Sequence, residues 1–417
     1  MFGFHRDAAG RARFGSALVA DLMAEAGVQT PAYVYDLSAI RAEVKELVAA
    51  FGATPHLVAY AVKANSAGSV VRTVREAGGG ADVVSGGELR VALGAGVLPE
   101  DTVMSGVGKA DWELDLAIAT GIYAIQVESV SEVARVASRA RALSRQARVS
   151  LRVNPSVRID THAHIATGHD QAKFGIAISD LNHAWECVDA AGDALRPVGL
   201  SMHIGSMMLG TEHFETAATT LCQAARARLE RAGLEFVDFG GGFGIDYGGS
   251  APVRPAAFVA RALELCRTHR LDDLRVLVEP GRSLVGAHGV LVAKVLQTKQ
   301  SGDRRWLIID AGMNDLLRPA LYGAKHRVEP LDRAPGGACY RVVGPVCESS
   351  DDFGVHEIGD PAPEQVVIRD AGAYGFSMAS EYNGRALPAE LFVDEGGLRH
   401  VSSSPGVDQW VARRLGA

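Results

Sequence analysis

From about residue 36 to residue 290, short apolar runs alternate with amphipathic stretches. The runs at 56–62, 80–84, 102–105, 123–127, 149–153, 197–204, 236–239 and 275–279 are short, and most are rich in Val, Ile and Leu. Runs of that length and composition read as buried strands. Between them, 67–77, 86–95, 112–120, 130–147 and 213–232 place apolar residues at helical spacing on one face. Eight strands, each followed by a helix or a loop, predict an α/β fold. A (β/α)8 barrel of the TIM type over 36–290 fits this alternation better than an open doubly wound sheet. Past Gly289 the pattern changes. The segments 290–299, 304–310, 338–343, 365–368 and 391–393 are β-rich with turn residues between them. They predict a C-terminal β-sandwich or β-barrel domain over 291–417. The first 35 residues carry no barrel strand, and 32–35 is expected to join that β-domain.

Composition bounds the function. The chain has 417 residues, 47% hydrophobic and 22% charged, with a net charge of −7. That is long enough for two domains and ordinary for a globular protein with a large core. The negative balance and the lack of a dense Lys/Arg tract argue against a nucleic-acid partner. No apolar run approaches the ~18 residues of a membrane span. The start, Met1-Phe2-Gly3-Phe4-His5-Arg6-Asp7, has no apolar signal region. Five cysteines, at 187, 222, 266, 339 and 347, are odd in number and lack CxxC spacing. They read as free thiols in a reducing cytoplasm, with no zinc site.

The candidate chemistry sits at the ends of the predicted strands, where barrel enzymes build their sites. Lys63, in Tyr60-Ala61-Val62-Lys63-Ala64-Asn65, ends the first run. Most lysines in that position reach solvent, but a desolvated amine has a lowered pKa, as a Schiff-base lysine requires. His203, in Ser201-Met202-His203-Ile204-Gly205-Ser206, is by itself an ordinary structural histidine or a flat ring able to stack on an aromatic cofactor, with Ser206 free to donate to a phosphate. Asp238-Phe239-Gly240-Gly241-Gly242-Phe243-Gly244 is either a flexible turn or a set of backbone N–H groups that can converge on an anion. Glu279-Pro280-Gly281-Arg282 closes the last run, as a surface ion pair or as a carboxylate for a pyridine nitrogen beside an arginine for an anion. In the β-rich part, Cys347-Glu348 lies in Gly344-Pro345-Val346-Cys347-Glu348-Ser349-Ser350-Asp351. Tyr374 lies in a glycine-flanked turn, and Arg318 and Tyr322 follow Asp310-Ala311-Gly312-Met313-Asn314-Asp315. Each of these alone reads as a buried cysteine or an ordinary loop.

Together and in this order, the segments YAVKAN, HIGS, GGGFG, EPGR, GPVCESSD and AGAYGFSMASEYN resemble the fold-type-III pyridoxal-phosphate decarboxylases, and among them the diaminopimelate decarboxylase group. The resemblance runs from Pro31 to Asp394. It implies pyridoxal 5'-phosphate on Lys63, with Asp82 near that lysine and His203 against the ring. Ser206, Gly241, Gly242, Gly281, Arg282 and Tyr374 hold the phosphate, and Glu279 keeps the pyridine nitrogen protonated. Cys347 is implied as the acid that returns a proton after CO2 leaves. Racemases of the same barrel type place an arginine against that nitrogen, so Glu279 favours decarboxylation. The resemblance also implies a homodimer with shared sites, in which Cys347 and Glu348 come from the partner subunit.

For the substrate, Arg282, Arg318 and Tyr322 suit a distal carboxylate, and Glu348 a distal ammonium, with Tyr374 alongside. That combination implies meso-diaminopimelate as substrate and L-lysine as product. Met207, Ser350, Arg158 and His164 depart from the usual pattern and leave room for a relative acting on another carboxylated amino acid. A non-catalytic member of the family is disfavoured, because Lys63, His203, Glu279 and Cys347 are all present.

Overall fold

The computed structural model describes residues 3–155, 173–249, 251–403 and 406–416. Arg158 and His164 lie outside the described residues. The chain divides into two compact units, one of 41–245 with 251–283, the other of 1–40, 246–250 and 284–417.

The first unit is a closed parallel barrel. Its strands are His56–Ala61, Gly80–Val83, Thr102–Met104, Ala124–Val127, Ala147–Asn154, Leu195–Met202, Phe236–Asp238 and Arg275–Val278. Each pairs in parallel with the next, and the eighth pairs with the first, Val276 opposite His56. A two-residue strand, Ile176–Ala177, adds to the edge of the fifth. The strands form because nearly every residue in them is buried on both faces, as a parallel sheet covered by helices demands. Leu57, Ala59, Val103, Ala124, Val198, Phe236 and Leu277 make one apolar cluster within it, with Tyr123 packed against them. Gly199 leaves room for the Phe236 ring, since a Cβ there would come within 2.3 Å of it.

Two barrel helices start on the same device. Ser85 and Ser129 accept the N–H of the residue three positions on, Glu88 and Glu132, each at 3.2 Å. Those glutamates reach back to the N–H of Val84 (2.8 Å) and Glu128 (2.7 Å). The serine and glutamate together satisfy backbone donors that a helix start leaves open. These helix starts are therefore pinned at the strand exits where the functional side chains stand.

The second unit is β-rich. Its central strand, Gly289–Ser301, pairs antiparallel with Arg304–Ile309, Gln365–Ile368 and Ala32–Asp36. Ala389–Asp394 then adds parallel to Ala32–Asp36. The order across the sheet is 352–357, 339–343, 304–309, 289–301, 32–36, 389–394, 397–402. A small N-terminal sheet, Phe4–Arg6, Ala12–Phe14 and Ala17–Leu18, contributes Phe14 to the core beside Val34, Val290, Val292, Val367 and Leu391. The strand at 32–36 thus belongs to the β-rich unit. The units divide after residues 40 and 283. Residues 284–288 go with the β-rich unit because Gly372 packs on their backbone: a Cβ there would lie 1.9 Å from the Val285 oxygen. Among the described residues no helix is long and apolar enough to cross a membrane, and no group of three or more His, Cys, Asp or Glu is placed to hold a metal ion.

Glu390 gives this unit a pH dependence. Its carboxyl is buried beside Tyr35, whose hydroxyl donates to it at 3.0 Å. Burial pushes it up to about 7. A raised acid favours the folded state at low pH, and that contribution is lost as pH rises through about 7. Glu390→Gln, which keeps an acceptor for Tyr35, is expected to lose less stability than the wild type between mildly acidic and alkaline pH. Denaturant unfolding of both proteins at the two pH values measures it, and parallel losses would refute it.

Candidate active site

The barrel strands end in a compact set of ionisable side chains. Lys63 stands on a single 3-10 turn, Val62–Ala64, directly after the first strand. The Tyr60 hydroxyl donates to the Asn65 carbonyl at 2.9 Å, and the Ala61 N–H donates to the Pro280 carbonyl at 2.9 Å. These two bonds fix the turn and tie the exit of the first strand to that of the eighth. From there Lys63 Nζ donates to Asp82 Oδ2 at 2.6 Å. Asp82 is wholly buried in the second strand, and its other oxygen accepts the Ser105 hydroxyl at 2.7 Å. About a third of the Lys63 side chain remains exposed, at 35%. The amine is held by one buried acid yet remains accessible.

Across the mouth, Glu279 and Asp238 close the eighth and seventh strands. Both are buried, and both are bridged by the Gln126 amide, which donates to Glu279 Oε1 at 2.7 Å and to Asp238 Oδ2 at 2.9 Å. Burial raises the Glu279 carboxyl well above the ordinary range, and the neighbouring Asp238 and Asp82 carboxylates add to the effect. Burial likewise lifts Asp238, to about 6. Two desolvated carboxyls bridged by one amide each oppose the other's ionisation.

His203 follows the sixth strand. Its Nδ1 accepts the Gly241 N–H at 3.2 Å, which leaves the ring proton on Nε2. Burial, with Arg152 and Lys63 nearby, pushes its pKa well below the usual value, so the ring is neutral. Arg152 is itself held by Glu128 at 3.0 Å, and Glu128 also accepts the N–H of Gly106 at 2.7 Å.

The glycines complete the barrel part of the site. Gly240 and Gly242 have φ of +66° and +92°. A Cβ on Gly240, Gly241 or Gly242 would lie 2.2, 1.9 or 2.1 Å from the carbonyl oxygen of Met202, Glu279 or Gly205. The loop backbone therefore lies against the neighbouring strand ends, a conformation only glycine allows. Ser206 accepts from Arg282 Nη2 at 3.1 Å, and a Cβ on Gly281 would touch Ala61 and Ala64 at 3.1 Å.

The barrel unit thus brings together Lys63, Asp82, His203, Ser206, Gly241, Gly242, Glu279, Gly281 and Arg282. The other predicted residues lie in the β-rich unit. There Arg318 is 4% exposed, its guanidinium 4.5 Å from the centre of the Tyr247 ring, and its Nη1 donates to His326 Nε2 at 2.6 Å. His326 Nδ1 donates to the Arg369 carbonyl at 2.9 Å, so this histidine is neutral and its acceptor face is turned to Arg318. Tyr322 ends the short helix Arg318–Tyr322. Cys347 is exposed, and its backbone N–H donates to Asn383 Oδ1 at 3.0 Å. Glu348 is exposed and accepts the Tyr382 hydroxyl at 2.6 Å. Tyr374 is half-buried with φ +55°. Met207, one of the unusual positions, has φ +66°. Ser350 is exposed, its hydroxyl 3.5 Å from Met313 Sδ.

Sequence reasoning missed Ser105, Gln126, Arg152, Ser201 and His326, and treated Asp238 only as a flank of the glycines. Four carried a usable signal: Ser105, Gln126, Arg152 and Ser201 are polar residues in or next to otherwise apolar strand runs. His326 carried none, because it lies in no run or motif, eight residues past Arg318 and 43 before Arg369.

The donor set fits pyridoxal 5'-phosphate. An accessible amine, a buried carboxyl opposite, a neutral flat imidazole and a glycine cradle beside a serine and an arginine are what its aldehyde, ring nitrogen, ring face and phosphate require.

The comparisons agree. Residues 37–286 match the family model described as "Pyridoxal-dependent decarboxylase, pyridoxal binding domain". The chain is 40% identical to diaminopimelate decarboxylase of Zymomonas mobilis over 87% of each protein. It is 40% identical to that of Bacteroides thetaiotaomicron, over 88% of this chain and 96% of the relative. The crystal structure of the Helicobacter pylori enzyme complexed with L-lysine is similar at a TM-score of 0.88 and 34% identity, over 94% of this chain and 99% of that one.

A substitution in the cradle tests the packing. Gly241→Ala has no room for its Cβ against the Glu279 carbonyl and must push the seventh and eighth strand ends apart. It is expected to cost about 1–3 kcal/mol of stability, as overpacking does, and to weaken cofactor binding; wild-type unfolding and wild-type affinity would show that the loop has slack.

Proposed function

Because the chain belongs to the pyridoxal-dependent decarboxylases, in the diaminopimelate decarboxylase family, we propose that it removes CO2 from meso-2,6-diaminopimelate to give L-lysine, the last step of lysine biosynthesis. The observation that carries the reading is the buried Glu279 carboxyl facing the Lys63–Asp82 pair across one barrel mouth. When bound, the cofactor supplies an electron sink for the bond that releases CO2.

The protein's own groups supply the rest. Asp82, fixed by Ser105, keeps the Lys63 amine at the cofactor's position. Glu279 would accept a hydrogen bond from the ring nitrogen and keep the proton in that contact, because a carboxylate buried beside two other acids gains from a positively charged neighbour. His203, neutral and held by Gly241, offers a ring face without adding a positive charge. Gly241, Gly242, Ser206, Gly281 and Arg282 bind the phosphate through backbone N–H groups, a hydroxyl and a guanidinium, and Tyr374 contributes its phenol.

Arg318 binds the carboxylate at the far end of the substrate, with Tyr322 beside it. His326 and Tyr247 support this role by holding the guanidinium flat and fixed. Glu348 binds the distal ammonium, and the Cys347 thiol returns a proton to the carbon that lost CO2. Both are exposed on their own chain, which supports the further proposal that a second copy uses them. The active form is then a homodimer with shared sites.

Two experiments test the reading. In a panel of meso-diaminopimelate, lysine, ornithine and arginine, only the first is expected to release CO2, and Lys63→Ala is expected to abolish both turnover and the borohydride-sensitive visible band of the bound cofactor. CO2 from another amino acid instead would reassign the substrate, and an intact band in the variant would remove Lys63 from its role. For the shared site, Cys347→Ala and Lys63→Ala proteins are each expected to be nearly inactive. After subunit exchange they should recover up to about a quarter of wild-type activity, since about half of randomly reassorted dimers are mixed and each holds one intact site. Demonstrated exchange without recovery would mean that each chain completes its own site.

A further inference from the structure

Beneath the Glu279 carboxyl lies a second layer of wholly buried polar groups. Gln126, in the fourth strand, is 1% exposed, Ser201 in the sixth 1%, and Asp238 at the end of the seventh 0%. The Gln126 Nε2 carries two hydrogens and spends one on Glu279 Oε1 at 2.7 Å and the other on Asp238 Oδ2 at 2.9 Å. Its Oε1 accepts the Ser201 hydroxyl at 2.9 Å, so the amide faces the acids with its nitrogen. The reverse orientation would set its oxygen against two carboxyl oxygens. Asp238 Oδ1 accepts the Gly240 N–H at 2.9 Å. Both oxygens of Asp238 are thus engaged by N–H donors, which favours its ionised form. On Glu279, Oε1 is engaged by Gln126, while Oε2 lies 3.8 Å from His203 Nδ1. That nitrogen accepts the Gly241 N–H and has no hydrogen to offer.

We propose that Gln126 and Asp238 are positioning residues for Glu279. Gln126 locks the rotation of the carboxyl through Oε1, so that Oε2 is the oxygen presented to the cofactor's ring nitrogen. Asp238 sets a second negative charge behind it, so that the proton stays in the contact between Glu279 and the ring. The inference deepens the decarboxylase reading and rests on it. The groups around Glu279 are Asp238 and Asp82, which favour retention of a proton, Lys63 and Arg152, which oppose it, and the neutral His203. Asp238 is the acid bridged to Glu279 by a shared donor, so its charge acts with the least screening. An amide at position 126 is the side-chain type that can serve both acids at once, because it donates twice from one atom while accepting on the other side.

The test uses the holoenzyme carrying pyridoxal 5'-phosphate labelled with 15N at the ring nitrogen, whose NMR shift reports protonation directly. Asp238→Asn keeps the shape and removes the charge. Gln126→Met keeps the volume and removes both donors. In the wild type the ring nitrogen is expected to stay protonated across the pH range in which the protein is folded. In both variants it should lose that proton within this range, in Asp238→Asn because the charge behind Glu279 is gone and in Gln126→Met because Oε2 is no longer held toward the ring. With that loss kcat should fall about tenfold while KM for the amino acid stays within about twofold, a split that general loosening of the barrel would not give. Each variant decides separately, so a folding failure in one leaves the other. A wild type that binds no labelled cofactor would overturn the decarboxylase reading itself. A protonated ring in the wild type with identical titration in a folded variant would overturn only the role assigned to the substituted residue.

Discussion

Three carboxyl groups, Asp82, Asp238 and Glu279, are buried together where the parallel strands of one barrel end, and the site depends on how their charge is managed. Left unpaired, each would cost several kcal/mol of desolvation. The barrel answers with an unequal set of partners. Asp82 has an amine and a hydroxyl, from Lys63 and Ser105. Asp238 has two N–H donors, from Gly240 and Gln126. Glu279 has, among the described residues, one N–H donor, from Gln126, and is left as the acid most disposed to hold a proton. Similar side chains in one cavity are thereby given different tasks by their surroundings alone.

That arrangement relies on closely fixed strand ends. The Ala61–Pro280 hydrogen bond, the glycines packed onto the carbonyls of Met202, Gly205 and Glu279, and the serine–glutamate caps at 85–88 and 129–132 hold the loops against the strands. A cofactor needs its ring, its phosphate and its reactive carbon placed at once, and a rigid rim does this without spending binding energy on ordering the loops. The β-rich unit follows the same logic on a smaller scale. A neutral histidine whose tautomer is fixed by the Arg369 carbonyl holds the Arg318 guanidinium in plane, and the Tyr247 ring supports its face.

Much of this was legible in the chain itself. Buried parallel strands read as continuous apolar runs, so the eight barrel strands and their order could be taken from local pattern, as could the strand at 32–36 that joins the β-rich sheet. The motifs around Lys63, His203, Glu279 and the glycines are contiguous, and each combines residue types that little else explains. The strands at 352–357 and 397–402 were missed, because edge strands alternate polar and apolar residues with turn formers among them and give no clear run.

The sequence by itself therefore determined the fold class, the family and the kind of cofactor, all carried by short-range pattern. Only the tertiary structure decided which acid keeps a proton, which tautomer His203 and His326 adopt, and that Gln126 couples Asp238 to Glu279. Those properties arise between side chains separated by as many as 153 positions in Gln126–Glu279 and 112 in Gln126–Asp238. They depend on burial and on donor geometry, and neither exists until the chain has folded.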